Sequence, residues 1–281
     1  MDHTAFSRRN LLKTSLAGFA LPGLGFLPHL SSKILNPEPL FVHYPNLEPD
    51  LVSEVVGASH FDFDKVKMLV DRRPELAAAT WEWRFGDFES ALGAASHVGR
   101  RDIAEYLISK GARPNIFSFA MLGAFEVVKS MIEFSPGLQR TTGPHGISLF
   151  RHAKTGLRNK DQMTTKEFDK ANQLVDYLES LGDANGPNYL NVTEEEQKLY
   201  MGDYRYGEGK DEGFSVKINM QKLLSLAPLG GFGGSIYKVG ENLFIYNGAP
   251  SVKISFDISD GVVQSLTVRD PDYEVTAQKV N

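Results

Sequence analysis

Ser235 and Lys238 stand three residues apart, the spacing of a serine nucleophile and a lysine that takes its proton. That chemistry needs both side chains on one helical face. Ser235-Ile236-Tyr237-Lys238 lies in a strand-like stretch, where residues three apart point to opposite faces, so the pair is not catalytic. His60, Asp62 and Asp64 offer metal-binding atoms, but they fall in a turn between two helical patterns, where an Asp caps the second helix. The further carboxylates and the glycine of a calcium loop are missing there. Gly230-Gly231-Phe232-Gly233-Gly234 lacks the Lys-Ser/Thr of a phosphate loop and reads as a flexible hairpin or barrel rim. His145 and His152 have no carboxylate beside them in the sequence to orient an imidazole as a base. The sequence therefore points to no catalytic set, no metal site and no cofactor. What remains is aromatic. Trp81, Trp83 and Phe85 alternate with Glu82 and Arg84 at the period of an extended strand, and a protruding patch of this kind anchors a protein partner.

The elements that must hold these residues are bounded by composition. At 281 residues the chain has room for about two domains. A net charge of -5 gives no basic field to attract nucleic acid. Cysteine is absent, which excludes disulfides, a thiolate nucleophile and thiolate metal sites. Without cross-links the fold must rely on its packed cores.

The chain opens on Ser7-Arg8-Arg9-Asn10-Leu11-Leu12-Lys13, followed by an almost uncharged run from Leu16 to Leu30. This resembles a twin-arginine export signal, with Leu11 in the aromatic position. The resemblance implies that Ser7, Arg8, Arg9 and Lys13 direct the folded protein to the periplasm or otherwise out of the cytoplasm. No clean cleavage site follows, and an uncut segment would tether the protein. Pro22, Gly23, Gly25 and Pro28 make a poor permanent helix, so no stable membrane span is expected once the signal is removed. Pro37, Pro39, Pro45 and Pro49 mark an extended linker over 33–49.

Internal repetition follows. Ser90 to Gly99, Arg100 to Ile108 and Ser109 to Asn115 resemble an ankyrin repeat: Leu92 and Ala95 on an inner helix, Ile103, Tyr106 and Leu107 on an outer one, and Gly111 and Asn115 at the exit. The same frame recurs at Val55, Ala58, Asp62, Val66 and Val70, and again at Ile116, Phe119, Gly123, Val127 and Met131. A fourth copy is split by an insertion, with Leu149, His152-Ala153 and Gly156 before it and Leu174, Tyr177, Leu178, Gly182, Ala184 and Asn185 after it. In such proteins the segments ahead of the inner helices carry binding residues, which adds His145 to the candidate partner contacts. From about Gly186 the period becomes two, with strand candidates at 200–206, 214–218, 236–239, 243–246, 252–258, 263–269 and 273–279. Tyr200-Met201-Gly202-Asp203-Tyr204, Phe244, Val252 to Phe256, Gly261 and Leu266 resemble the lipocalin-like domain appended to some exported beta-lactamase-related proteins. That resemblance implies an accessory module in the cell envelope.

The expected fold class is α+β in two domains. A signal segment (1–32) and the linker (33–49) precede an ankyrin-type α-solenoid (50–186) and a small antiparallel β-sheet or half-barrel (187–281). The expected function is a non-catalytic exported scaffold that binds a protein partner in the cell envelope. A small-ligand carrier built on the β domain is the alternative, and a hydrolase using His145 and His152 a third. The sequence carries no signal for an oligomeric state. Replacing Arg8-Arg9 with Lys-Lys should leave folded protein in the cytoplasm, checked by cell fractionation. Undiminished export would contradict the twin-arginine assignment.

Overall fold

The apolar stripes become the buried faces of helices. Val55, Val66, Val70, Leu92, Ile103, Leu107, Leu149, Leu174 and Leu178 are all almost inaccessible to solvent. The computed structural model describes residues 45–219 and 221–280. The helices come in pairs: α1 (Pro49–Ala58) with α2 (Phe63–Arg72), α3 (Ala91–Val98) with α4 (Arg101–Ser109), α5 (Ile116–Met121) with α6 (Phe125–Phe134), and α7 (Leu149–Gly156) with α8 (Thr165–Leu181). Their starts are written locally. Asp62 caps α2 by accepting from Lys65 N–H at 3.0 Å, and Ser90 caps α3 by accepting from Gly93 N–H at 2.9 Å. Asn115 and Ser118 form a capping box on α5, as do Thr164 and Glu167 on α8.

The expected ankyrin-type solenoid is nevertheless not what forms. The paired helices run to 10 and 10, 8 and 9, 6 and 10, and 8 and 17 residues. The connections between pairs also differ. A 3-10 turn and a two-stranded hairpin, β1 (Thr80–Glu82) with β2 (Phe88–Ser90), separate the first two pairs; two 3-10 turns separate the last two. In a solenoid each repeat touches only its neighbours. Here α3 packs on α1, α5 and α7, skipping a pair, so the helices share a local core rather than a linear stack.

The β region is corrected too. It is neither an open sheet nor a half-barrel but a closed barrel. Its strands are β3 (Gly202–Arg205), β4 (Gly213–Ile218), β5 (Leu224–Pro228), β6 (Gly234–Gly240), β7 (Leu243–Tyr246), β8 (Ala249–Ser259), β9 (Val262–Asp270) and β10 (Tyr273–Lys279). Each pairs antiparallel with the next, and β10 closes on β3 through Gln278↔Arg205 and Lys279↔Tyr204. The strand missed by the sequence pattern is β5. Leu224 to Ala227 are all buried, so no alternation marks them. Its absence from the count explains the error: in an up-and-down meander the first and last strands run antiparallel, and can close simply, only when their number is even.

The barrel interior is filled. Tyr204, Phe244, Phe256, Leu266 and Val268 pack together, and α9 (Glu194–Tyr200) inserts Tyr200 against Phe244 and Phe256 at 5.0 and 4.6 Å between ring centres. Tyr204 O–H donates to the Tyr200 carbonyl at 2.6 Å, which satisfies a buried hydroxyl. No helix among the described residues is long and apolar enough to cross a membrane.

Helix packing tolerates little at Gly156. A Cβ there would lie 2.0 Å from the Met121 carbonyl oxygen on α5. Gly156→Ala should cost about 1–3 kcal/mol, read by urea unfolding. An unchanged midpoint would contradict the close α5–α7 approach.

Candidate metal centre

The β1–β2 hairpin does not protrude. Its strand β2 puts Phe88 into solvent at 66% exposure and Glu89 at 0%, so period two drives a carboxylate into the protein. Three imidazoles surround it. His97, in the last turn of α3, brings Nε2 to 2.9 Å from Glu89 Oε1. His145, in the 3-10 turn Pro144–Gly146, brings Nε2 to 3.2 Å from the same oxygen. His60, in the α1–α2 turn, brings Nε2 to 3.4 Å from Oε2. One ligand atom from each of His60, Glu89, His97 and His145 lies within 4.8 Å of every other.

The surroundings are ordered as around a metal. His60 Nδ1 lies 3.0 Å from the Gly57 carbonyl, which can only accept, so Nδ1 carries the hydrogen and Nε2 presents its lone pair inward. His145 Nδ1 sits 2.6 Å from Asp87 Oδ2, and the His145 backbone N–H donates to Asp87 Oδ1 at 3.0 Å. This is the carboxylate–histidine arrangement that fixes a ligating ring. Trp83 Nε1 donates to Glu89 Oε2 at 2.7 Å, which leaves Oε1 facing His97 and His145. Two atoms at the centre, Glu89 Oε1 and His97 Nε2, have no hydrogen bond of acceptable geometry among the described residues despite their 2.9 Å approach. Zinc bonds of about 2.0–2.2 Å at tetrahedral angles hold donors roughly 3.3 Å apart, close to the Glu89–imidazole separations.

Electrostatics agree. Burial disfavours charge on Glu89, but the neighbouring imidazoles of His145 and His97 outweigh it and hold the carboxyl well below its usual range. Burial likewise disfavours charge on His145, but its hydrogen bond to Asp87 and the nearby Glu89 carboxylate prevail and raise its pKa to about 10. Burial pushes His97 down, so it stays a neutral donor. Asp87 and Glu89 are thus two buried carboxyl groups whose side-chain partners are imidazoles and one indole. No lysine or arginine among the described residues pairs with either carboxylate. A dication bound by neutral imidazoles would balance two ionised carboxylates.

The sequence-derived candidates are placed as follows. His145 is a ligand candidate. Trp83 orients Glu89, Trp81 is paired across the hairpin with Glu89, and Phe85 packs on the barrel at Tyr246, 5.0 Å between ring centres. Trp83 and Phe85 are therefore engaged inside the chain. Ser7, Arg8, Arg9 and Lys13 lie outside the described residues. Asp62 caps α2 and contributes nothing here. Sequence spacing missed Glu89, His97, Asp87 and His60 as a set, because they come from three segments that only the fold unites. The chain matches no protein-family model, and no curated protein matches it.

His152 lies apart from this set. It is fully buried, its Nδ1 is 2.9 Å from the Ser148 carbonyl, and burial lowers its pKa from 6.5 to about 4. The unfolded chain binds more protons there between those values, so stability rises with pH across that window and is fully present above 6.5. Thermal unfolding at pH 4.5 and 7 should show a smaller pH difference for His152→Asn than for wild type. An equal difference would contradict the neutral buried state.

Proposed function

We propose that this chain is an exported metal-binding protein whose centre holds one divalent transition metal, zinc by donor type, on His60, Glu89, His97 and His145. The observation that carries the reading is the convergence of three imidazole Nε2 atoms on a buried carboxylate, with the supporting hydrogen bonds already in place. Imidazole with one carboxylate suits zinc and its neighbours in the first transition row better than calcium or magnesium, which prefer oxygen. Four protein donors complete a tetrahedral shell, the arrangement of structural rather than catalytic zinc. The reading therefore keeps the non-catalytic character inferred from the sequence.

The export signal fits this reading. A route that moves folded proteins lets the chain take its metal in the cytoplasm, where availability differs from that outside. The filled barrel favours a structural module over a small-ligand carrier. A protein partner in the cell envelope would meet the helical surface at the exposed Phe61 or Phe134, because Trp83 and Phe85 are engaged within the chain.

Zinc-loaded full-length protein should retain about one metal per chain after gel filtration, measured by mass spectrometry of the elements. Glu89→Gln and His97→Ala should each weaken zinc binding by at least roughly 10–100-fold. Zinc at roughly a hundred times Kd should stabilise the wild type by about 2.7 kcal/mol against unfolding. Retention no greater than in a variant lacking all four ligands would overturn the proposal and leave a metal-free ion-pair cluster.

A further inference from the structure

The barrel rests on the same residues that hold the centre in shape. Gly248, in the β7–β8 turn, lies against Asp87 so closely that a Cβ would sit 2.7 Å from Asp87 Oδ1. Gly146, next to ligand His145, faces the same turn, where a Cβ would be 3.3 Å from the Gly248 backbone nitrogen. Phe85 seats its ring on Tyr246, and stacks at 6.3 Å on Tyr273. One hairpin thus carries a barrel anchor (Phe85), the carboxylate that orients His145 (Asp87) and a ligand (Glu89) at alternate positions.

The backbone at the junction is held against its preferences. Phe85 and His145 both have positive φ, 56° and 59°, although neither is glycine. Such conformations cost of order 1 kcal/mol or more and persist where surrounding contacts over-determine them. For His145 those contacts are the two hydrogen bonds to Asp87 and the approach to Glu89. A cavity of about 440 Å³ lies along the same junction, walled by Asp87, Phe88 and Gly93 on the helical side and Tyr246, Gly248 and Pro250 on the barrel side.

Resting on the metal-binding reading, we infer that the centre is the latch of this junction: metal on His145 and Glu89 fixes Asp87 and the hairpin, and these fix the seat of the β7–β8 turn and the cleft beside it. A metal ion ties together segments from His60 to His145 in a chain that has no disulfide to do so. The coupling is reciprocal, because any free energy by which metal favours the seated barrel is the same free energy by which the seated barrel favours metal.

The test uses the full chain, with zinc chloride added or removed by a chelator, and hydrogen exchange read by mass spectrometry. Chelation should speed exchange over 243–252 by about tenfold or more, and leave the turn at 259–262, at the other end of the barrel, unchanged. Phe85→Ala and Gly248→Ala leave all four ligands intact and unseat the turn. Each should weaken zinc binding by roughly 10-fold, the effect of disturbing an outer-sphere partner. Should Phe85→Ala fail to fold, Gly248→Ala and wild-type exchange still decide. Stoichiometric zinc binding with unchanged exchange over 243–252, or unchanged affinity in the folded variants, overturns the latch alone. Absence of stoichiometric zinc in the wild type overturns the metal reading and the latch with it.

Discussion

Two carboxylates two residues apart, Asp87 and Glu89, are buried on one short hairpin, and everything at the junction answers to them. Buried charges need partners, since the interior does not repay their lost hydration otherwise. Their polar partners are Trp83, His60, His97 and His145, all of them aromatic nitrogen groups apart from one backbone N–H. Imidazoles can meet a carboxylate as protonated cations or can share it with a metal as neutral bases. The spacing around Glu89, and the two central atoms without a proper hydrogen bond, favour the second.

That constraint also explains why the hairpin folds inward. Trp81, Trp83 and Phe85 are the aromatic residues expected to meet a partner. In the structure Trp83 sits on the carboxylate and Phe85 on the barrel, so the hairpin joins the two halves of one compact unit, Glu48–Asn281. A feature that reads as an external hot spot and one that reads as an internal wedge share the same sequence pattern, because both are apolar alternation with polar partners.

Local signals were legible. Helix starts at Asp62 and Ser90, apolar stripes such as Val66 with Val70, and strand bounds such as 243–246 and 273–279 are written in neighbouring residues. What was not legible is non-local. Barrel closure hinged on β5, whose uniformly buried Leu224 to Ala227 carry no period. The irregular packing of the helices depended on α3 reaching α7 past an intervening pair. The centre was hidden for the same reason: His60 looked like part of a capped turn, His97 like one position of a repeat, and Glu89 carried no signal of its own. His145 stands out in the sequence only as a partner contact, and His60 as a metal donor only beside Asp62 and Asp64. Without cysteine the chain has no thiolate spacing to mark a metal site, and imidazole sites assembled from distant turns leave no local pattern.

The proposed metal centre is tested most directly by X-ray absorption at the zinc edge of the loaded full-length protein. It predicts a first shell of about four nitrogen and oxygen atoms at roughly 2.0–2.1 Å with the outer-shell scattering of three imidazoles. A shell without imidazole scattering, or zinc that washes out before it can be measured, would contradict it.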